Sequence, residues 1–318
     1  MKLVSILLCL AASVATSTYA QTYPTRTIRF IVPFSAGGGA DIQTRMLAHK
    51  LTERLGQQVI ADNRPGGTTV LATELTARAP ADGYTLLFVT TTFAINPSLR
   101  KVPYDIVRDF APVIQLNSAP NMLVAHPSVP ANNARELIRL AKAQPGALNY
   151  ASAGAGTAAH VSMELMQIMS GTKLTHVPYK GSSQGLIDVM SGEISLLITT
   201  ATSLLPYIRD GKIKAIAVTS AKRSRAAPSV PTIAEGGLPG YDASGWQGVV
   251  APAGTPREVV AKLNREINGI LKMPDVNERM AAEGSEPVGG TPEAFATHIK
   301  SEQAKWQKVV KASGAKVD

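Results

Sequence analysis

Residues 27–55 read TIRFIVPFSAGGGADIQTRMLAHKLTERL. The opening run, TIRFIVPF, is rich in β-branched and aromatic residues and has the length of one strand. Small residues, SAGGGAD, interrupt it. Ile42, Met46, Leu47, Leu51 and Leu55 then recur at three- and four-residue steps until Gly56 stops the pattern. A strand, a glycine loop and an amphipathic helix in that order open a βαβ unit.

The same alternation continues outward from this stretch. QVIAD reads as a strand, TVLATELTARA as a helix and YTLLFVTTT as a third strand, which together make an open α/β lobe. After the partly extended DFAPVIQLNSAPNMLVAHP the cycle restarts. NARELIRLAKA (helix), LNYASA (strand), the loop GAGT and AAHVSMELMQIM (helix) come first. LTHVPY (strand), KGSSQ (loop), GLIDVMSG (helix) and the strands ISLLITT and KIKAIAVTS follow. A Pro/Gly-rich stretch at 228–240 leads into SGWQGVVAPAGTP, and three helical patterns close the chain, the last over 292–312. Those trailing helices need a sheet to pack on, and the first lobe supplies it. The expected fold class is therefore α/β with two lobes, a discontinuous one at 21–120 and 246–318 and an inserted one at 121–245. The chain would cross between them near 118–124 and near 242–250, and two crossings make a hinge.

Composition agrees with this size of molecule. With 318 residues, 45% hydrophobic and 17% charged, the chain is globular rather than disordered, and it exceeds the ~250–300 residues at which single cores stop growing. Residues 1–20, MKLVSILLCLAASVATSTYA, have one basic residue at Lys2, an apolar run and a small-residue end, the pattern of a cleaved signal peptide. The expected location is the periplasm. The single cysteine, Cys9, lies in that leader, so the mature chain has no disulfide, thiolate metal site or cysteine nucleophile. The net charge of +9 comes without long basic runs and with 5% aromatics, which argues against nucleic acid and for small anions. His49, His126 and His176 have no metal-ligand spacing, so no metal is expected, and no cofactor.

Two loops carry the functional signal. Residues 35–41 and 152–160 share one design, in which glycine admits close backbone approach and the first turn of the next helix offers unpaired N–H groups. Ligands in open α/β sheets bind beyond the carboxyl ends of the strands, so a loop in each lobe predicts one shared cleft. Asp41 serves either as a first-turn acid that holds its own loop or as a ligand contact, and His160 either donates to a ligand or is a satisfied helix histidine. Trp246 and Trp306 read as packing residues, with Trp246 close enough to the second crossing to line the cleft.

Two motifs compete with this reading. Residues 154–159, GAGTAA, fit the dinucleotide fingerprint GxGxxA, but the next strand ends in Tyr179-Lys180 where that motif needs an acid. Residues 181–185, GSSQG, fit the nucleophile elbow GxSxG, which would make Ser183 the nucleophile of a secreted serine hydrolase. The one downstream histidine, His298, sits in an amphipathic helix rather than on a loop.

The motifs YPTRTIRFIVPFSAGGGAD, VIADNRPGG, ADGYTLLFVTTTFAINPSL, YDIVRDFAPV, NYASAGAGTAAHVSMELM, HVPYKGSSQGLIDVMSGEI and GWQGVVAPAGTP run through nearly all the mature chain. In this order they resemble the extracytoplasmic solute receptors of tripartite tricarboxylate transporters, the Bordetella uptake gene (Bug) family. The resemblance implies a two-lobed, type II periplasmic-binding-protein-like fold, joined by two crossing segments, that closes on a small carboxylate and has no catalytic residues. It implies membrane transporter subunits as partners; a solute-sensing role with a sensor kinase as partner is the separate alternative, and the chain is expected to be a monomer. Carried over by position, the site it implies comprises Ser35, Ala36, Gly37, Gly38 and Asp41, with Thr91 and Thr92 at the end of the third strand and Asn96 nearby. From the second lobe it adds Ser152, Gly156, Thr157, His160, Lys180, Gly181, Thr200 and Ala201.

Overall fold

A computed structural model describes residues 23–314 except Gly38, Lys180 and Glu283. The leader expected at 1–20 lies outside the described residues.

The opening stretch forms strand β1 (Ile28–Val32) and helix α1 (Gly39–Leu55), followed by β2 (Val59–Asn63). Helix α2 (Val70–Ala77), β3 (Thr85–Thr90), helix α3 (Thr91–Leu99) and β4 (Phe110–Ala119) complete the first half. Strand β5 (Asn121–Ala125) starts the second sheet. It is followed by α4 (Ala134–Ala143), β6 (Asn149–Ser152), α5 (Ala158–Ser170), β7 (Thr175–Pro178), α6 (Ser182–Ser191), β8 (Leu196–Thr200), α7 (Ala201–Arg209) and β9 (Lys214–Val218). Strand β10 (Gly245–Pro252) returns to the first sheet. The helices α8 (Arg257–Leu271) and α9 (Pro274–Ala282), the short strand β11 (Glu286–Gly289) and helix α10 (Pro292–Ser313) end the chain.

The first sheet has the order β11-β4-β10-β3-β1-β2 and the second β7-β6-β8-β5-β9. In each, three parallel strands (β2-β1-β3 and β7-β6-β8) are followed by an antiparallel strand that comes from the far side of a crossing, β10 in one and β5 in the other. This is the two-lobed α/β fold expected, with two crossing segments.

Register fixes how the lobes meet. Strand β4 ends at Ala119, opposite Gly245, and β5 begins at Asn121, opposite Thr200. The chain thus passes from the carboxyl rim of one parallel set to the carboxyl rim of the other across the single residue Pro120. On the way back, Thr219 N donates to Asn121 O and Ala243 N to Thr219 O, both at 2.9 Å. Trp246 N then donates to the Thr91 hydroxyl at 3.0 Å. The two crossings lie side by side, and the carboxyl rims of both parallel sets lie next to them.

Between the two sheets the core is continuous. One cluster of buried side chains takes in Ile31, Phe93 and Ile95 from the first sheet's elements, Tyr150 and Met166 from the second's, and Trp246 and Trp306. Helix α10 packs on α3, β4 and α5. Its Glu302 is buried and accepts both indole N–H groups, from Trp246 and Trp306, at 2.9 Å each, with Lys305 as a third partner. Trp246 is 2% exposed and packs rather than lining an open surface.

Candidate functional site

Loops that follow parallel strands cluster where strand order reverses, and each lobe has one such point. In the first sheet it lies between β1 and β3, where the chain leaves at 33–38 and at Thr91. In the second it lies between β6 and β8, where it leaves at 153–157 and at Ala201. Most of the expected site residues fall at these two points. Ser35, Ala36 and Gly37 are exposed at the first, and Gly37 has φ 84°, open to glycine without strain. Gly156 (φ 76°), half-buried Thr157 and exposed Thr200 mark the second, with Gly181 capping α6 on the same rim. Gly38 and Lys180 are outside the described residues.

Thr91 and Thr92 are not the end of the third strand. Strand β3 stops at Thr90, and both residues open helix α3. Their local sequence, three threonines, has the β-branched character of a strand. Helix α3 begins there because the chain has passed the sheet edge and packs back on the core through Phe93, Ala94 and Ile95. The amino ends of α3, α6 and α7 carry no side-chain cap among the described residues. Their first N–H groups have no intrahelical acceptor and remain available to an anion.

Several side chains expected to touch a ligand are instead committed to the loops. Asp41 is buried, accepting from Gly37 N at 2.8 Å, Asn63 Nδ2 at 2.9 Å and Arg45 Nε at 3.0 Å. The Arg45 hydrogen bond is the main cause of its pKa being pulled down to about 2. Its carboxylate shapes the 35–37 turn. Ser152 is fully buried, with its hydroxyl donating to Gly154 O at 3.0 Å and lying 2.7 Å from His176 Nε2. Thr157 caps α5: its hydroxyl donates to Gly154 O at 2.8 Å and accepts from His160 N. His160 accepts from Gly156 N through Nδ1 at 3.0 Å. These four position backbone. The spacing of Asp41 from Gly37 and Arg45, four residues each way, was the readable signal; the pairing of Ser152 with His176 joins different strands and had none.

Thr157→Ala removes an N-cap and the hydroxyl that ties residue 157 to Gly154. We expect it to cost about 1 kcal/mol of stability, measured by denaturant titration, and Thr157→Ser to recover most of it.

A further rim feature escaped the sequence reading. Between β2 and α2 four successive residues, Gly66, Gly67, Thr68 and Thr69, have positive φ (144°, 55°, 51° and 77°). Two of these are threonines, which resist that conformation. Buried Asn96 holds the turn, donating to Thr68 O at 2.8 Å and to the Thr69 hydroxyl at 3.2 Å.

The elbow motif does not form an elbow. Ser183 is the second residue of helix α6 rather than a strained strand-to-helix apex, and it is exposed. His298 lies on α10 against Trp246 and Phe295. Two α/β lobes joined by paired crossings, each with loops at its point of strand-order reversal, have the build of a solute receptor.

Comparison with known proteins agrees. The family model for the tripartite tricarboxylate transporter family receptor matches residues 43–315, and the chain belongs to that family. BugT of Bordetella pertussis is 38% identical over 309 residues, covering 96% of this chain and 95% of BugT. A structure of R. palustris Rpa4515 with adipate superposes with a TM-score of 0.78 at 38% identity, covering 93% of this chain and 100% of that one. MatC from Rhodopseudomonas palustris with bound malate gives a TM-score of 0.73 at 30% identity, over 91% of this chain and 100% of MatC. The family consists of receptors, so the hydrolase reading of Ser183 is set aside: the chain is not an enzyme.

Proposed function

We propose that this chain is a periplasmic receptor that captures a small carboxylate between its lobes and delivers it to the membrane subunits of a tripartite tricarboxylate-type transporter. The observation that carries this reading is the meeting of the two carboxyl rims at the paired crossings, each bearing a glycine loop and uncapped helix ends. The adipate and malate held by Rpa4515 and MatC support a carboxylate of the same class. The lobes are 21–120 with 246–318, and 121–245, moving as a hinge about the crossings.

In this reading the ligand meets Ser35, Ala36, Gly37, Gly38, Thr91 and Thr92 from one side, and Gly156, Lys180, Gly181, Thr200 and Ala201 from the other. Asp41, Ser152, Thr157 and His160 stand behind them. Hydrogen bonds to a charged group contribute ~1.5–3 kcal/mol each, so three or four of them reach micromolar affinity, about −8 kcal/mol, after ordering costs. Calorimetric titration against mono-, di- and tricarboxylates is expected to find such a ligand. A folded protein that binds none of a broad panel would overturn the proposal.

A further inference from the structure

The second loop rests on a pair of stacked histidines that the capture of a ligand does not by itself explain. The rings of His160 on α5 and His176 on β7 are 4.0 Å apart and 9° from parallel, and Tyr150 stacks on the outer face of His176 at 4.8 Å. Each ring holds one end of the loop. His160 Nδ1 accepts from Gly156 N at 3.0 Å, and His176 Nε2 lies 2.7 Å from the Ser152 hydroxyl, which binds Gly154 through both its N–H and its carbonyl. Because Nδ1 of His160 is an acceptor, its proton sits on Nε2, 3.6 Å from Glu164 Oε1.

This arrangement works only while His160 is neutral. A proton added at Nδ1 turns the acceptor into a donor that faces the N–H of Gly156, and the contact becomes repulsive. We propose that His160 is a positioning residue that acts as a proton-sensitive latch, with His176 stacked behind it, holding the 153–157 loop in its ligand-receiving shape when neutral and releasing it when protonated. The proposal rests on the carboxylate reading of that loop.

The surroundings favour the neutral pair. Burial is the main cause lowering the pKa of both rings, and for His176, brought to about 4, the neighbouring His160 adds to it. Among the described residues Glu164 is the one acid facing His160 and opposes the shift, but its Oε1 is shared with the Tyr150 hydroxyl and Gln167 Nε2. The other packed elements add little. Helix α3 and strand β8 carry no titratable side chain. On α10, Glu302 is taken by the two indoles and Lys305, while Lys305 and Lys308 line a groove beside Leu165 and Ile168, further along α5. Tyr179, after β7, donates to Asp188. Two charged rings at this spacing repel, so the first proton discourages the second and the latch titrates as a coupled pair.

The test has a ligand-free arm and a binding arm. In nitrogen-15 NMR of the apo protein between pH 7.5 and 4.5, the Gly156 amide is expected to shift along the same titration curve as the His160 ring nitrogens. In His160→Asn, whose Oδ1 can accept from Gly156 N but cannot titrate, that shift should vanish. For binding, adipate and malate are titrated into wild type and into His160→Asn at both pH values. Ligand protonation is common to the two proteins, so their ratio isolates the latch. Wild type is expected to lose at least tenfold more affinity than the variant on acidification. An unmoved Gly156 amide, or equal losses in both proteins, overturns the latch. If neither acid binds at pH 7.5, the carboxylate reading fails for these ligands and the NMR arm decides the latch alone.

Discussion

Glu302→Ala is expected to lower stability by about 3–5 kcal/mol, because it strands two buried indole N–H groups, each costing ~1–3 kcal/mol when unpaired. At this chain length the melting temperature should fall on the order of 6–15 °C. The effect is this large because Glu302 ties β10, next to a crossing, to the closing helix α10, and its loss loosens both at once. The chain has 2 tryptophans, and both donate to this carboxylate, so the loss also has an optical signature: intrinsic emission should shift to the red. Both indoles bond the same oxygen, so Glu302→Gln can present its amide oxygen to them and should retain most of the stability. Equal damage in Gln and Ala would show that the charge toward Lys305, rather than indole pairing, holds the junction.

The second large effect concerns the first loop. Asp41→Ala deletes three hydrogen bonds from one buried carboxylate and releases Gly37, Asn63 and Arg45. A stability loss of about 2–4 kcal/mol is expected, and with the 35–37 turn unsupported, affinity for the captured carboxylate should fall ~10- to 100-fold. Calorimetry on folded variant protein separates the two effects. The pH dependence has a defined sign. The folded pKa of Asp41 lies near 2, below the unfolded value of 3.8, so its contribution is complete above 3.8 and is lost as pH falls through 2. The first loop should therefore survive mild acid that unsettles the second. Binding unchanged in Asp41→Ala would remove this loop from the site.

Much of the fold was readable because its strands are short β-branched runs and its long helices keep strict three- and four-residue steps. Ile28, Phe30, Ile31, Val32, Leu47 and Leu51 in the opening stretch are buried as their pattern requires. Two helices were not anticipated, α3 and α7, and each carries an internal proline, Pro97 and Pro206, which reads as a helix breaker. They are equivalent elements, each starting directly from a strand of its lobe's switch point. The site was legible at the level of loops and not of atoms. Glycine spacing marks where backbone can approach an anion. Which side chains are already taken depends on partners far along the chain, such as His176 for Ser152 and Asn63 for Asp41. Residue type alone would give Ser152, Asp41 and His160 to the ligand, whereas packing gives them to the loops.

The path of the chain through β10 sets a timetable for folding. Strand β10 lies between β3 and β4 in the first sheet yet is synthesised after every strand of the second. Until residue 245 emerges, β3 and β4 have no partner between them, and the first half is an unfinished sheet with open edges. The inserted half, which needs nothing beyond β9 for its own sheet, can assemble first and serve as the template on which the two ends of the polypeptide are later brought together.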